Sequence, residues 1–80
     1  MILEKKNKTS YYCSDPDSIA EILTRHGYMT EIPGAPHVIS RMRKSRSIVI
    51  TYSNGTVLLQ GVDIRSAHEI FDVLIAEVPF

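Results

Sequence analysis

Four side chains of this sequence belong to types that often carry chemistry: Cys13, His26, His37 and His68. The three histidines lie far apart along the chain, without the short spacing of a metal site, and a single cysteine provides neither a disulfide nor a Cys-based zinc site. Cys13 has no basic residue beside it to activate the thiol, so we expect a small core residue rather than a nucleophile. The sequence therefore predicts a protein that is not an enzyme, with no catalytic residue set, no cofactor and no metal.

One histidine leaves a weaker alternative open. His37 follows Gly34-Ala35-Pro36, a segment with a faint resemblance to the Gly-Ser-His-His segment of HicA-type ribonuclease toxins. In such a toxin, His37 would act as a general acid or base on RNA. The second histidine of that pair is missing here, and a lone histidine at a strand edge is more often a structural group.

Basic residues are concentrated in one short run. Arg41, Arg43, Lys44 and Arg46 place four of the nine basic residues within six positions, although nine acidic residues cancel the total charge. A net charge of zero argues against nonspecific nucleic-acid binding. Seven of the nine acidic residues fall in two segments that we predict to be helical, which would give a negative helical layer and a more positive sheet. The same charges could equally be solvated groups that keep the protein soluble.

Length and composition indicate one globular domain over residues 1–80. Hydrophobic residues make up 44% of the chain, too many for a disordered protein. No apolar run approaches the roughly 20 residues of a membrane helix, and the start of the chain lacks the apolar core of a signal peptide. We therefore expect a cytoplasmic protein that does not contact a membrane.

The first part of the chain predicts a strand and then a helix. Residues 9–13 are rich in β-preferring side chains and follow a charged, frayed start. Ser14 or Asp15 is expected to cap a helix that ends at Gly27, with Asp17 completing a capping box. One face of this helix carries apolar residues and a histidine at helical spacing: Ile19, Ile22, Leu23 and His26.

The second part predicts three strands and a second helix. Residues 32–36 form a connection, because two prolines and a glycine exclude a central strand. A strand starts at His37, and two more, at 47–52 and 56–62, flank Asn54-Gly55, the strongest hairpin signal in the chain. The last helix ends before Pro79 and buries one stripe: Ile64, Ala67, Ile70, Phe71, Leu74 and Val78. The predicted class is α+β, an antiparallel sheet with two helices on one face, in the order β-α-β-β-β-α.

The hairpin predicts which side chains share a face of the sheet. A two-residue turn at Asn54-Gly55 would pair Ser53 with Thr56 and so assign each neighbouring residue to a face. The face expected to pack on the helices then contains Ile48, Ile50, Tyr52, Val57 and Leu59. The other face has no helix left to cover it, and Arg41 and Arg43 would flank it.

The uncovered face is the predicted binding surface. Its six candidate residues are Arg41, Arg43, Val49, Thr51, Leu58 and Gln60. These residue types suit the minor groove of a duplex. Apolar groups would contact sugars, short polar groups would bond to 2′-hydroxyls and base edges, and guanidiniums would bind phosphates. An ordinary amphipathic sheet with a wet outer face explains the same pattern equally well.

The hairpin also resembles that of a known family. Residues 52–61 read as Y-x-x-G-x-V-L-x-Q-G, which is similar to the hairpin in the N-terminal domain of bacterial ribonuclease HIII, itself similar to half of the TATA-binding protein saddle. The similarity extends over residues 11–75, including the Pro33-Gly34-Ala35 connection. It implies a TATA-binding-protein-like fold for residues 1–80.

The resemblance also has implications for function. In that family the domain holds an RNA/DNA hybrid while a separate ribonuclease H domain cleaves it. This sequence ends where that nuclease would begin and has no carboxylate cluster for two metal ions, so binding would carry over and cleavage would not. The motif supports Leu58 and Gln60 as binding residues, whereas the assignment of the other four candidates depends on the predicted strand register. Tyr52 also matches the motif, but the two-residue turn would point it into the core.

Three functional hypotheses follow. The first is a binding module that grips duplex nucleic acid, either an RNA/DNA hybrid or another duplex, through the sheet; a homodimer would complete the saddle. The second is a small protein-binding inhibitor or antitoxin that docks the same face on a nuclease, for instance a phage-encoded protein of the anti-defence or anti-CRISPR type. The third and weakest is the HicA-like ribonuclease that uses His37.

Overall fold

One sheet and two helices make up the described structure. The computed structural model describes residues 2–61 and 63–77. Its elements are β1 (Leu3–Lys5), β2 (Ser10–Cys13), α1 (Asp17–Arg25), β3 (Met29–Glu31), β4 (Val38–Lys44), β5 (Ser47–Tyr52), β6 (Thr56–Gln60) and α2 (Ile64–Glu77). The six strands form one antiparallel sheet in the spatial order β1-β2-β6-β5-β4-β3. The predicted α+β class is confirmed, and neither helix in the described ranges is long and apolar enough to cross a membrane.

Both helices cover the same face of the sheet. Ile19 and Leu23 of α1 and Ala67 and Phe71 of α2 are fully buried, as the helical spacing predicted. They form one cluster with the strand residues of that face: Leu3, Tyr11, Cys13, Met42, Val49, Val57 and Leu59. Ile22 is only half-buried and His26 is exposed, so these two residues of the predicted apolar face of α1 are not part of the core. Val78 and Pro79 lie outside the described residues.

The N-terminal residues form a strand that we did not predict. β1 pairs antiparallel with β2, and Leu3 is buried in the core although three charged residues, Glu4, Lys5 and Lys6, follow it in the chain. Ser14, predicted to cap α1, instead accepts a hydrogen bond from Ile2 N–H through Oγ at 2.7 Å, and its own N–H donates to Ile2 O at 2.9 Å. The capping box is therefore wrong: Pro16 occupies the N-cap without a side-chain hydrogen bond.

β3 is the second strand that the sequence did not reveal. It lies between Gly27, whose φ of +89° ends α1 as predicted, and the connection at 32–36. β3 forms one edge of the sheet and pairs Thr30 with Met42 and Glu31 with Arg41. Three residues are too few for an alternating pattern to identify a strand. The observed order is consequently β-β-α-β-β-β-β-α.

The hairpin between β5 and β6 has a register that differs from the prediction by one residue. Ile50 pairs with Leu58 and Thr51 with Val57, so residues 53–55 form a three-residue loop. Gly55 takes a φ of +95° and donates its N–H to Tyr52 O at 3.0 Å. A three-residue loop with glycine in the left-handed region is a common hairpin connection.

This shift reverses the faces of β5, because successive strand residues point to opposite sides. Val49 and Thr51 are fully buried on the face that the helices cover, so their predicted place on the uncovered face is wrong. Tyr52, predicted to lie in the core, is on the uncovered face together with Ile48 and Ile50.

Thr51 provides a test of the corrected register. Its Oγ1 is buried and has no hydrogen-bond partner among the described residues. Because a buried hydroxyl without a partner costs about 1–3 kcal/mol, Thr51→Val is expected to stabilise the protein by about 1 kcal/mol in urea denaturation. The matched control is Thr56→Val, at a half-exposed position on the opposite face, which should change stability by less than about 0.5 kcal/mol. Equal effects of the two substitutions would contradict the burial of Thr51.

Candidate nucleic-acid interface

Neither of the two described helices covers the second face of the sheet, which we call the open face. From the pairing of the strands, its residues are Glu4, Ser10, Tyr12, Met29, Glu31, Val38, Arg41, Arg43, Ile48, Ile50, Tyr52, Thr56, Leu58 and Gln60. Four of the six predicted site residues are among them: Arg41, Arg43, Leu58 and Gln60. The structure brings these four onto one surface and separates them from Val49 and Thr51.

The middle of the open face is an apolar strip. Ile50 lies between Leu58 of β6 and Arg41 of β4, and Leu58 pairs in turn with Ser10 of β2. Ile50 is only 6% exposed although no helix covers it, which means that its neighbours on the strands shield it. Long side chains such as arginine commonly cover apolar surface with their methylene stems. Within the strip, Leu58 is therefore more accessible to a ligand than Ile50.

A tyrosine marks the end of the open face nearest the hairpin loop. Tyr12 is 37% exposed and pairs with Thr56, and its ring lies so close to the loop that a Cβ on Gly55 would be 2.6 Å from Cε1. Lys6 Nζ is 5.8 Å from the centroid of the same ring. An aromatic ring fixed in this way offers a flat surface for a sugar or a base, with a cation beside it.

The other end of the open face carries a carboxylate that bridges two arginines. Glu31 Oε1 accepts a hydrogen bond from Arg41 Nε at 3.1 Å, and Glu31 Oε2 accepts one from Arg43 Nε at 2.7 Å. These two bonds hold the pKa of Glu31 below its usual value, with Arg43 as the larger cause. Within residues 2–61 and 63–77, the Nη groups of both arginines make no hydrogen bond. Each guanidinium thus keeps an outward edge for an anion.

The basic run does not form one patch. Lys44 points to the helical side, where Nζ donates to His26 O at 2.8 Å at the end of α1 and lies 5.9 Å from the ring centroid of Tyr28. A lysine in this position satisfies a carbonyl that the helix leaves free. Arg46 lies in the exposed turn between β4 and β5. Only Arg41 and Arg43 belong to the open face.

The two layers differ in charge less than predicted. On the open face two arginines face two glutamates, Glu4 and Glu31, so its strand charges cancel. Among residues 17–25 and 64–76 of the helices, four acidic residues are exposed, Asp17, Glu21, Glu69 and Asp72, against two basic ones, Arg25 and Arg65. The helical layer is thus negative relative to the sheet, but the sheet itself is not a positive surface.

The residues that first suggested chemistry are dispersed. His26 and His37 are exposed, whereas His68 is half-buried on α2 with Nδ1 2.9 Å from the hydroxyl of Tyr11. Cys13 is fully buried, burial raises the pKa of its thiol, and its predicted role as a core residue is confirmed. In the described ranges, no group of three His, Cys, Asp or Glu residues could hold a metal ion.

Sequence reasoning missed three members of the open face that matter here: Tyr12, Ile50 and Glu31. Alternation along β2 could have identified Tyr12, because Tyr11 and Cys13 are the buried pair. Ile50 was assigned to the wrong face by the turn. Glu31 had no usable signal, since its strand is three residues long and its two partners lie on another strand.

An antiparallel sheet with two described helices on one face is consistent with the TATA-binding-protein-like α+β fold that the resemblance implied. The crystal structure of RNase H3 from Aquifex aeolicus is similar to it, with a TM-score of 0.60 and 19% sequence identity over 89% of this chain. The likeness confirms, at the level of fold, the predicted resemblance to the N-terminal domain of ribonuclease HIII. This chain spans 25% of that protein's length. No protein-family model and no curated protein matches the sequence.

Proposed function

We propose that this protein binds duplex nucleic acid, an RNA/DNA hybrid or another duplex, through the open face. The observation that carries the proposal is the pair Arg41 and Arg43, whose guanidiniums stand beside the apolar strip of Ile50 and Leu58 with their outer edges free. The fold shared with part of RNase H3 supports the same function.

Each part of the open face has a counterpart in a duplex. Guanidinium groups bind phosphate oxygens in pairs of parallel hydrogen bonds. Half-buried Leu58, beside the shielded Ile50, provides apolar contact for sugars. Ser10, Thr56 and Gln60 present short polar groups beside it, which suit 2′-hydroxyls and the base edges of a wide, shallow minor groove.

Removal of the two arginines should weaken binding strongly. Arg41→Ala with Arg43→Ala is expected to lower affinity for a short hybrid or duplex by about 10- to 100-fold, because two charge-assisted phosphate contacts are lost. The slope of log K against log salt should become shallower by about 2, one per phosphate contact. Gel shift or fluorescence anisotropy at several salt concentrations measures both quantities.

The control variant changes the same amount of charge elsewhere. Arg25→Ala with Arg65→Ala also removes two guanidiniums, but from the helical side of the molecule. This control variant would lose only general attraction to a polyanion, so we expect its affinity for nucleic acid to fall by less than about threefold. Equal losses for the two double variants, or wild-type binding by the Arg41/Arg43 variant, would contradict the assignment of the site.

A second function, docking on a protein as an inhibitor or antitoxin, is favoured by one feature of the edge at β3. Met29 and Ile32 are 74% and 87% exposed there, on and just after a strand whose outer side pairs with no other described strand. Exposed apolar groups at a sheet edge are typical of protein partners. The same titrations distinguish the two functions: absence of binding to hybrid, duplex DNA and duplex RNA even at low salt would favour the protein partner.

A further inference from the structure

Glu31 bridges the two arginines through both oxygens of its carboxylate. One carboxylate uses its two oxygens for two different guanidiniums, at 3.1 Å for Arg41 and 2.7 Å for Arg43. All three side chains are only about a third to two fifths exposed, at 32%, 33% and 42%. Both bonds engage Nε, the side of the guanidinium nearest the main chain. The orientation of each arginine is therefore determined by the same residue.

The spacing of the arginines fits a repeating anion. They are alternate residues of β4, so their Cα atoms are about 6.6–6.8 Å apart. With Nε held by Glu31, the two Nη groups of each arginine form the edge that faces away from the carboxylate. Two such edges side by side can each take one phosphate of a single nucleic-acid strand in a forked pair of hydrogen bonds.

We propose that Glu31 is a positioning residue for phosphate binding, which orients Arg41 and Arg43 towards successive phosphates of one strand. This inference rests on the proposed function of the open face. Glu31 itself does not contact the ligand; it acts through the two guanidiniums by holding them in the orientation that binding requires.

Two effects of the Glu31 carboxylate oppose each other. Its negative charge repels phosphates, but at physiological salt charges are screened over about 8 Å, and exposed pairs contribute little. In contrast, ordering a long side chain at an interface lowers affinity by about 2- to 10-fold per side chain, and here two are already ordered. Positioning is therefore expected to outweigh repulsion, and increasingly so as salt rises.

The test is Glu31→Gln, compared with Glu21→Gln as a matched control. Both substitutions remove one carboxylate that is paired with arginine, but Glu21 pairs with Arg25 on α1, on the helical side of the molecule. Glu31→Gln should weaken binding of a short duplex by about 3- to 10-fold near physiological salt, with a larger loss at higher salt. Glu21→Gln should change affinity by less than about twofold, because it alters neither Arg41 nor Arg43.

The same substitution in the Arg41→Ala/Arg43→Ala background separates positioning from a general structural role. There Glu31→Gln should change affinity by less than about twofold, because its targets are gone. A loss of the same size in both backgrounds would overturn the inference, as would tighter binding by Glu31→Gln in the otherwise unaltered chain. Failure of the proposed function gives a different result, since the arginine variant would then bind as the wild type does.

A measurement without ligand completes the test. NMR relaxation of the arginine Nε–H groups should show Arg41 and Arg43 as ordered in the wild type and mobile in Glu31→Gln, with Arg46, exposed in its turn, mobile in both. Unchanged order of both groups in the variant would overturn the positioning role whatever the nucleic-acid results. Thermal unfolding of the variant provides the check that the fold is retained.

Discussion

Gly61→Ala is expected to destabilise the protein by about 3 kcal/mol or more, a large share of the about 4–12 kcal/mol typical for 80 residues. Gly61 has a φ of +104°, and a Cβ built there would lie 1.7 Å from the carbonyl oxygen of Arg46 and 2.9 Å from its carbon. Because these are backbone atoms of the turn between β4 and β5, no side-chain rotation can relieve the overlap. Urea denaturation measures the loss.

Gly34→Ala separates the two causes of this loss. Gly34 also has a positive φ, +81°, but the nearest atom to an added Cβ is 4.0 Å away. Only the left-handed conformation is then penalised, at about 1–2 kcal/mol. If both variants lost the same stability, the close approach between Gly61 and Arg46 would be contradicted.

The hairpin motif that suggested the family has a physical explanation in these contacts. Its two glycines are Gly55 and Gly61, and both have positive φ values. A Cβ on Gly55 would lie 2.6 Å from Cys13 O, just as one on Gly61 would overlap Arg46. The motif therefore describes how the hairpin fits its neighbours in the sheet. It identifies the fold well and says little about the ligand, which is why a match of ten residues led to the right architecture.

The order of the longer elements could be predicted because each had a local signal. Helical spacing identified Leu23 and Phe71 as core residues, and Asn54-Gly55 identified the hairpin. Leu58 and Gln60 lie on the predicted face although the turn used to assign them was one residue too short, because β6 alternates between buried Val57 and Leu59 and more exposed neighbours.

The register of β5 could not be obtained in the same way. Its sequence is apolar on both faces, so that Ile48 and Ile50 compete with Val49 for the core without a difference in hydrophobicity to decide between them. The loop length alone determines the result, and the same Asn54-Gly55 pair fits two-residue and three-residue loops. The turn residues therefore predict that a hairpin exists, but they do not determine its register.

The charge arrangement on the open face was the least predictable feature. Glu31 meets Arg41 and Arg43 only because β3 pairs with β4, and neither β3 nor that pairing has a sequence signal. Counting charges along the chain therefore overestimated the positive character of the sheet. The pairing of β3 with β4 instead gives the two arginines a fixed orientation. This orientation depends on the integrity of the whole sheet and of the helices behind it.

Phe71→Ala is expected to have the largest effect among the core substitutions, about 3–5 kcal/mol. Phe71 is fully buried, and its ring stacks on that of Tyr11 with centroids 4.8 Å apart and an interplanar angle of 26°. Tyr11 in turn bonds to His68 on the same helix, so one strand residue anchors α2 at two places. Removal of the ring leaves a cavity at the centre of this contact, and chemical denaturation should show most or all of the stability lost.

Two further variants keep the prediction testable if Phe71→Ala does not fold. Phe71→Leu retains most of the apolar volume and should lose about 1–2 kcal/mol. Val73→Ala lies on the same helix at a position that is 52% exposed. It should be neutral or slightly stabilising, because the helix propensity of alanine exceeds that of valine by up to about 0.7 kcal/mol.

Because Phe71 lies on the face opposite the arginines, Phe71→Leu should retain wild-type affinity under conditions where it is folded. A specific loss of nucleic-acid binding by that variant would mean that the two faces of the sheet are not independent.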